Sequence, residues 1–207
     1  MKFPSVLDTF QRADQASINT SPAESGHPWI GSGTNLPIIK GNLLTCAQPG
    51  IAGGGNYAYI DALKSPSEFG CVFSLLGTVS NGTGITLIAS NLDNSLNNML
   101  HFLITAIGYS CQIRVNGEAP PWATPPGGAG NFASPLLGDG TQYSTSIKIR
   151  NNTTIVSLPD GSVITLTDTR INKTTGRYLC FQPNGGNGLA ISRFHSVFAN
   201  LGSRVLL

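Results

Sequence analysis

Tyr143-Ser144-Thr145-Ser146-Ile147-Lys148-Ile149-Arg150, Asn151-Asn152, Thr153-Thr154-Ile155-Val156-Ser157-Leu158, Pro159-Asp160-Gly161 and Ser162-Val163-Ile164-Thr165-Leu166-Thr167 follow one another without a break. Aliphatic and β-branched residues alternate with polar ones, the period of a strand that buries one face and wets the other. Asp160-Gly161 tolerates the positive φ that a tight hairpin turn demands, and Asn151-Asn152 serves the preceding connection in the same way. The stretch reads as a three-strand antiparallel meander from Tyr143 to Thr167.

Outward from the meander, segments rich in Val, Ile, Leu, Thr, Phe and Tyr recur between Gly, Asn, Asp and Pro punctuation, and helical periodicity is almost absent. The pattern predicts strands at 36–45, 56–61, 69–77, 84–90, 99–107, 110–116, 143–150, 153–158, 162–167, 177–182 and 189–199. Phe73-Ser74-Leu75-Leu76 and Phe102 to Ile107 are more continuously apolar, as central strands covered on both faces are. The polar run from Asn91 to Asn98 reads as a loop. So does the Pro- and Gly-rich run from Glu118 to Gly130, because proline lacks the ladder donor and glycine lacks stiffness. No repeat or composition break divides the chain, so 1–207 is expected to be a single domain.

Charged residues are only 11% of the chain and hydrophobic ones 40%, which excludes a disordered polyelectrolyte. Twelve basic residues give a net charge of +2 but no clustered stripe, so nucleic acid is not an expected partner. The longest apolar run, near Met99 to Gly108, is interrupted by His101 and Thr105 and reads as a buried strand, with no membrane insertion expected. Met1-Lys2-Phe3-Pro4-Ser5-Val6 runs directly into polar sequence at Asp8 and reads as lacking a secretion signal. Cys46, Cys71, Cys111 and Cys180 form no C-x-x-C pair, so a metal site is not expected and buried thiols are favoured over disulfides.

Asp8-Thr9-Phe10-Gln11-Arg12-Ala13-Asp14 is followed by Gly26-His27-Pro28-Trp29, then Gly31, then Ile39-Lys40-Gly41-Asn42-Leu43. Leu158-Pro159-Asp160-Gly161 and Thr167-Asp168 mark the middle. Gly188-Leu189-Ala190-Ile191-Ser192-Arg193-Phe194 and Val197-Phe198-Ala199 mark the close. Together these motifs resemble the concanavalin-like, laminin-G-like jelly rolls of tailed-bacteriophage structural proteins and bacterial surface proteins. The resemblance implies an all-β fold, an antiparallel β-sandwich of the concanavalin-like jelly-roll kind. On the residues themselves, Phe10 and Trp29 are expected core anchors. Asp8, Arg12 and Asp14 are expected to pair or to cap turns where the first strand meets the last.

Catalytic signatures are weak. A glycosidase needs two carboxylates flanking one bond, yet Glu24, Glu68 and Glu118 have no acidic residue two or four positions away. The seven aspartates sit mainly in turns or in the terminal motif, with Asp168 alone following a strand. Gly-x-Ser-x-Gly is absent, and Gly53-Gly54-Gly55 lacks the Lys and Ser/Thr of a phosphate loop. No cofactor is implied. Asn91, Asp93 and Asn94 offer oxygen donors, but one carboxylate is too little charge for calcium. His101 and His195 lie in strands and read as structural imidazoles, whereas His27, in a loop beside Pro28-Trp29, is expected to be the most exposed of the three.

Binding is the class that survives. Trp122, in its Pro/Gly loop, is the leading aromatic, either as a sugar platform or, slightly favoured, in loop or subunit packing. Tyr143, Tyr57 and Tyr59 are weaker, because strand tyrosines are often half core. The expected glycan- or partner-binding residues are therefore Trp122, Tyr143 and His27. The resemblance further implies a non-enzymatic virion protein, a minor tail or decoration protein assembled in the host cytoplasm. Its partners would be other virion proteins, further copies of itself and host cell-surface polysaccharide. The alternatives are a glycan-binding module of a bacterial surface protein and, less favoured, a polysaccharide-cleaving enzyme acting through Asp168 or Glu118.

Overall fold

The structure is a computed structural model that describes residues 6–33, 36–46, 57–79, 82–90, 98–116, 123–174, 176–185 and 190–201. Its strands are β1 (Val6–Asp8), β2 (Trp29–Ser32), β3 (Ile38–Ile39), β4 (Leu44–Thr45), β5 (Tyr57–Asp61), β6 (Glu68–Gly77), β7 (Gly84–Ser90) and β8 (Met99–Thr105). They continue with β9 (Gly108–Arg114), β10 (Ala129–Asn131), β11 (Asp139–Arg150), β12 (Thr153–Ser157), β13 (Val163–Thr167), β14 (Tyr178–Asn184) and β15 (Ala190–Asn200). One eight-stranded sheet runs β13-β12-β11-β6-β15-β4-β3, with β1 also on β15, and a seven-stranded sheet runs β10-β9-β8-β7-β14-β5-β2. Neighbouring strands pair antiparallel throughout. The molecule is an antiparallel β-sandwich. No described helix is long and apolar enough to cross a membrane.

The meander forms as its alternation requires. Ile147, Val156 and Leu166 are buried while their chain neighbours face outward or lie half-buried. Gly161 takes a φ of +85° and Asn151 one of +52°. Leu158 accepts from the Gly161 amide at 3.0 Å and donates to Ser162 at 2.8 Å, closing a three-residue loop with glycine in its left-handed position. β6 and β8, the continuously apolar segments, lie inside their sheets. An aromatic chain crosses between the sheets: Trp29 meets Phe181 at 6.3 Å, and Phe181 meets Phe69 at 6.4 Å and Phe194 at 6.3 Å, all edge-on. Edge-on contacts set the positive ring edge on the negative face of the next ring.

Asp8 ties the start of the chain into this core. β1 lies antiparallel on β15 with Asp8 opposite Val197, and its side chain turns inward to 0% exposure. The carboxylate accepts from the Phe10 amide (2.9 Å), both terminal nitrogens of Arg12 (2.6 and 2.9 Å) and the Trp29 indole (2.8 Å). A buried charge with an opposite charge and further donors is tolerated, and removing one partner leaves the others orphaned. Asp14 caps the Gly41 amide at 2.7 Å. The terminal motif thus does the pairing and capping expected of it.

Three expectations are corrected. The segment 36–45 is a hairpin, β3 and β4, and not one strand. Gly41 (φ +58°) and Asn42 (φ +61°) form the turn, and Lys40 and Leu43 exchange backbone bonds of 3.0 and 3.3 Å. The run 118–130 is not wholly loop, since Ala129–Asn131 forms β10 on β9 and Ile113 donates to the Ala123 carbonyl at 2.8 Å. Glycine makes that approach possible, because a Cβ at Gly108 would lie 2.2 Å from the Gly130 carbonyl oxygen. β1 and β2 are strands that periodicity alone does not announce, being short. The Asn91 to Asn97 run lies outside the described residues.

Two stability outcomes follow. Asp8→Ala is expected to cost about 3–5 kcal/mol in urea unfolding, and a loss under 1 kcal/mol would refute the stitching role. Thr154 is buried and its hydroxyl has no hydrogen-bond partner among the described residues. Thr154→Val should therefore raise stability by about 1 kcal/mol, read from the denaturation midpoint.

Candidate functional site

His27 lies in a turn shaped by sequence. The Ala23 amide donates to the His27 carbonyl at 2.9 Å and the Gly26 amide to Ala23 at 2.8 Å, with Gly26 at φ +83°. Pro28 then leads into β2, where Trp29 pairs with Ile60 of β5. That register brings the 25–28 turn beside the end of β5, where Asp61 stands. The Asp61 carboxylate accepts from the Leu63 amide at 2.8 Å, an Asx turn that holds Leu63 at φ +62°. Ser25, Gly26, His27, Pro28, Asp61 and Leu63 line a pocket of about 270 Å³.

Its polar groups are organised. Ser25 Oγ accepts from the Leu7 amide at 3.1 Å and lies 2.9 Å from His27 Nδ1. That contact holds the imidazole ring against the turn, with Nδ1 engaged by the Ser25 hydroxyl. Arg177 bridges to the second Asp61 oxygen at 3.1 Å, donates to the Tyr178 hydroxyl at 2.8 Å and lies 5.0 Å from the Tyr178 ring centre. Among the described residues each Asp61 oxygen thus has one such donor and retains acceptor capacity. Leu63 is 67% exposed at the pocket mouth. A bulky residue held left-handed costs on the order of 1 kcal/mol, and here it gains little packing in return.

Of the expected binding residues, His27 leads into one sheet and Tyr143 lies in the other. His27 lines the pocket, but it is only 6% exposed, while His101 and His195 are half-buried. The expectation that it is the most exposed histidine is corrected, because its turn folds the ring back against Ser25. Tyr143 sits on β11 in the other sheet, its ring 5.8 Å from Phe73 and its hydroxyl accepting from the Leu137 amide at 2.7 Å. Trp122 lies outside the described residues. Tyr57 and Tyr59, 5.9 Å apart, lie on the face of the seven-stranded sheet turned away from the main core. Tyr59 forms a second buried cluster there with Ile88, Met99 and Cys180, and burial pushes its hydroxyl pKa up.

Asp61, Leu63 and Arg177 were not singled out in the sequence. Asp61 closes a strand and opens an Asx turn, which is a local signal, but its meeting with His27 depends on the non-local β2–β5 pairing.

The other acidic, cysteine and histidine side chains that could serve chemistry are engaged elsewhere or lie apart. Asp61 is the one carboxylate lining the pocket among the described residues. Asp168 grips Arg170 at 2.5 and 2.8 Å and is held below the usual carboxylate range, chiefly by that bond. Glu118 lies outside the described residues. Among the described residues no three His, Cys, Asp or Glu side chains group as metal ligands would. All four cysteines are free thiols. His195 shares a 2.9 Å bond with Ser74, and burial and then the Arg193 charge lower its pKa.

No known family's sequence profile matches the chain, and no curated protein matches it in sequence. Solved structures do match in shape. The legume lectin-like domain from Entamoeba histolytica superposes with a TM-score of 0.59 at 16% identity, covering 84% of this chain and 90% of that one. The exoplasmic/lumenal domain of VIP36 in its Ca2+/Man-bound form gives 0.58 at 11% identity, covering 99% and 92%. A structure reported with endo-acting O-glycanases from prominent members of the human gut microbiota gives 0.57 at 9% identity, covering 95% and 98%. The fold is that of the lectin-like, concanavalin-like jelly rolls.

Burial lowers the His101 pKa from 6.5 to about 4. Below about pH 6.5 the unfolded chain takes up a proton that the folded chain refuses, so stability is complete above that pH and falls toward pH 4. Urea midpoints at pH 7.5 and 4.5 should differ less in His101→Gln than in the parent. The difference attributable to His101 is up to about 3 kcal/mol, and equal slopes would refute it.

Proposed function

We propose that the chain is a non-catalytic glycan-binding module whose sugar site is the pocket between His27 and Asp61. The observation that carries the reading is Asp61, whose carboxylate keeps acceptor capacity beside the apolar walls of Pro28 and the outward-held Leu63. A sugar presents hydroxyls that donate to a carboxylate and a C–H face that packs on apolar groups. Few other small neutral ligands offer both. His27, its Nδ1 engaged by Ser25, adds a polar ring to the same pocket. The lectin-like jelly rolls that share this fold support the reading, one of them described as mannose-bound. A single carboxylate at the site favours retention of a sugar over its cleavage, which calls for two.

The terminal motifs resemble those of tailed-phage structural proteins, and from them we take the proposed setting: a virion-borne module in several copies that touches host polysaccharide. Mass spectrometry of purified particles checks that setting, and consistent absence of the chain would refute it.

For the site itself, a glycan array should identify a ligand, and titration calorimetry should compare the parent with Asp61→Asn and Leu63→Ala. Losing a charged acceptor costs about 1.5–3 kcal/mol, so Asp61→Asn should weaken binding by roughly 10- to 100-fold. Unchanged affinity in both variants would remove the pocket from the site. No binding to any glycan would overturn the function.

A further inference from the structure

The β3–β4 hairpin creates a second concave site, on the eight-stranded sheet and away from the His27 pocket. Its left-handed Gly41-Asn42 turn carries Lys40 at one shoulder, and β4 then pairs with β15 so that Thr45 faces Arg193. Along β15, Ile191 and Arg193 alternate with the buried Ser192 and Phe194 and so point away from the core. Lys40 and Arg193 line one pocket of about 330 Å³ together with Ile38, Leu43 and Ile191.

Neither cation has a carboxylate partner among the described residues. The four ion pairs there are Arg12–Asp8, Lys148–Glu68, Arg170–Asp168 and Arg177–Asp61. Asp14, which contacts the same hairpin, is turned onto the Gly41 amide and does not line the pocket. The remaining polar walls are already engaged: Thr45 donates to the Ser192 carbonyl at 3.3 Å and Cys46 donates through sulfur to the Pro183 carbonyl at 3.0 Å. Burial pushes the Cys46 thiol up to about 11, so it adds no competing negative charge at neutral pH.

We infer that this pocket binds an anionic sugar, a carboxylate-bearing pyranose such as a uronate, with Arg193 and Lys40 on the carboxylate and the aliphatic side chains under the ring. A guanidinium matches a carboxylate with two parallel bonds, and the ammonium supplies a point charge that adapts to it. Inorganic phosphate or sulfate would use the two cations but leave Ile38, Leu43 and Ile191 without a role. A neutral sugar would leave the cations unpaired. The volume suits one pyranose, at the small end of ligand pockets. This pocket is independent of the one at His27, with which it shares no lining residue.

The test is an NMR titration of the full chain at low ionic strength with D-glucuronate, D-glucose and inorganic sulfate, using the parent, Arg193→Gln and Lys40→Gln. Glucuronate should shift the Ile38, Leu43 and Ile191 resonances, bind more tightly than glucose or sulfate, and lose about tenfold or more in Arg193→Gln. Lys40→Gln, at an exposed turn, should weaken it less and serves if Arg193→Gln fails to fold. Equal shifts with glucose, equal affinity for sulfate, or glucuronate binding unaltered in both variants would each overturn the proposal. The glucuronate-induced shifts of Ile38, Leu43 and Ile191 report this pocket alone, since none of the three lines the pocket at His27.

Discussion

A fully buried carboxylate is intolerable unless its charge is answered nearby, and Asp8 is answered four times over. Arg12, only four residues on, supplies the opposite charge with two parallel bonds, while Phe10 and Trp29 supply neutral donors from a backbone amide and an indole. The consequence is geometric. β1 must lie on β15, the chain must curl at once so that Phe10 adopts φ +58°, and Trp29 must bring β2 beneath it. Trp29 is also the first ring of the aromatic chain that crosses to Phe181, Phe69 and Phe194. One ion therefore connects the first strand, the last strand and the interior of both sheets. The 25–28 turn that carries His27 hangs directly from this joint, with the Leu7 amide bonded to Ser25.

How much of this could be seen in the chain depends on whether the deciding interaction is local. The 143–167 meander was legible because alternation and turn residues act over a few positions, and Asp8 with Arg12 was legible for the same reason. The 36–45 hairpin reads as one strand although Gly41-Asn42 is a local turn signal, because apolar residues on both sides mimic a continuous strand. The 123–131 return along β9 was hidden by proline and glycine, residues that argue against a strand until one sees that Gly108 and Gly130 permit a close backbone approach. At the pocket, His27 was legible as a residue but not in its burial, and Asp61 was not legible at all. Only the pairing of Trp29 with Ile60 places them together, and no pattern within either segment encodes that partner.

The two pockets show different solutions to the same shortage of charge. Only 11% of residues are ionisable as Asp, Glu, Lys or Arg, so each charge is conspicuous against a surface of amides and hydroxyls. At the His27 pocket the Asp61 charge is paired with Arg177 at 3.1 Å, which leaves a site of neutral balance with a directional acceptor. At the hairpin pocket two cations stand over aliphatic side chains with no such answer. A ligand that meets the first gains from hydrogen-bond direction, and one that meets the second gains from charge and therefore weakens with salt.

The same chemistry explains why the fold can present sites without being destabilised by them. Both pockets sit at hairpin or turn edges of the sheets, where the backbone is already committed to tight geometry by Gly26, Gly41 and Asn42. The core rings and the Asp8 cluster lie behind them and contribute no atoms to either lining. Substitutions at Lys40, Leu63 or Arg193 therefore act on surface recognition, whereas substitutions at Asp8 or Trp29 act on the joint that holds the sheets together. Recognition and folding are separable in this chain because the Asp8 carboxylate is buried at the seam, whereas Lys40 and Arg193 stand at the rim.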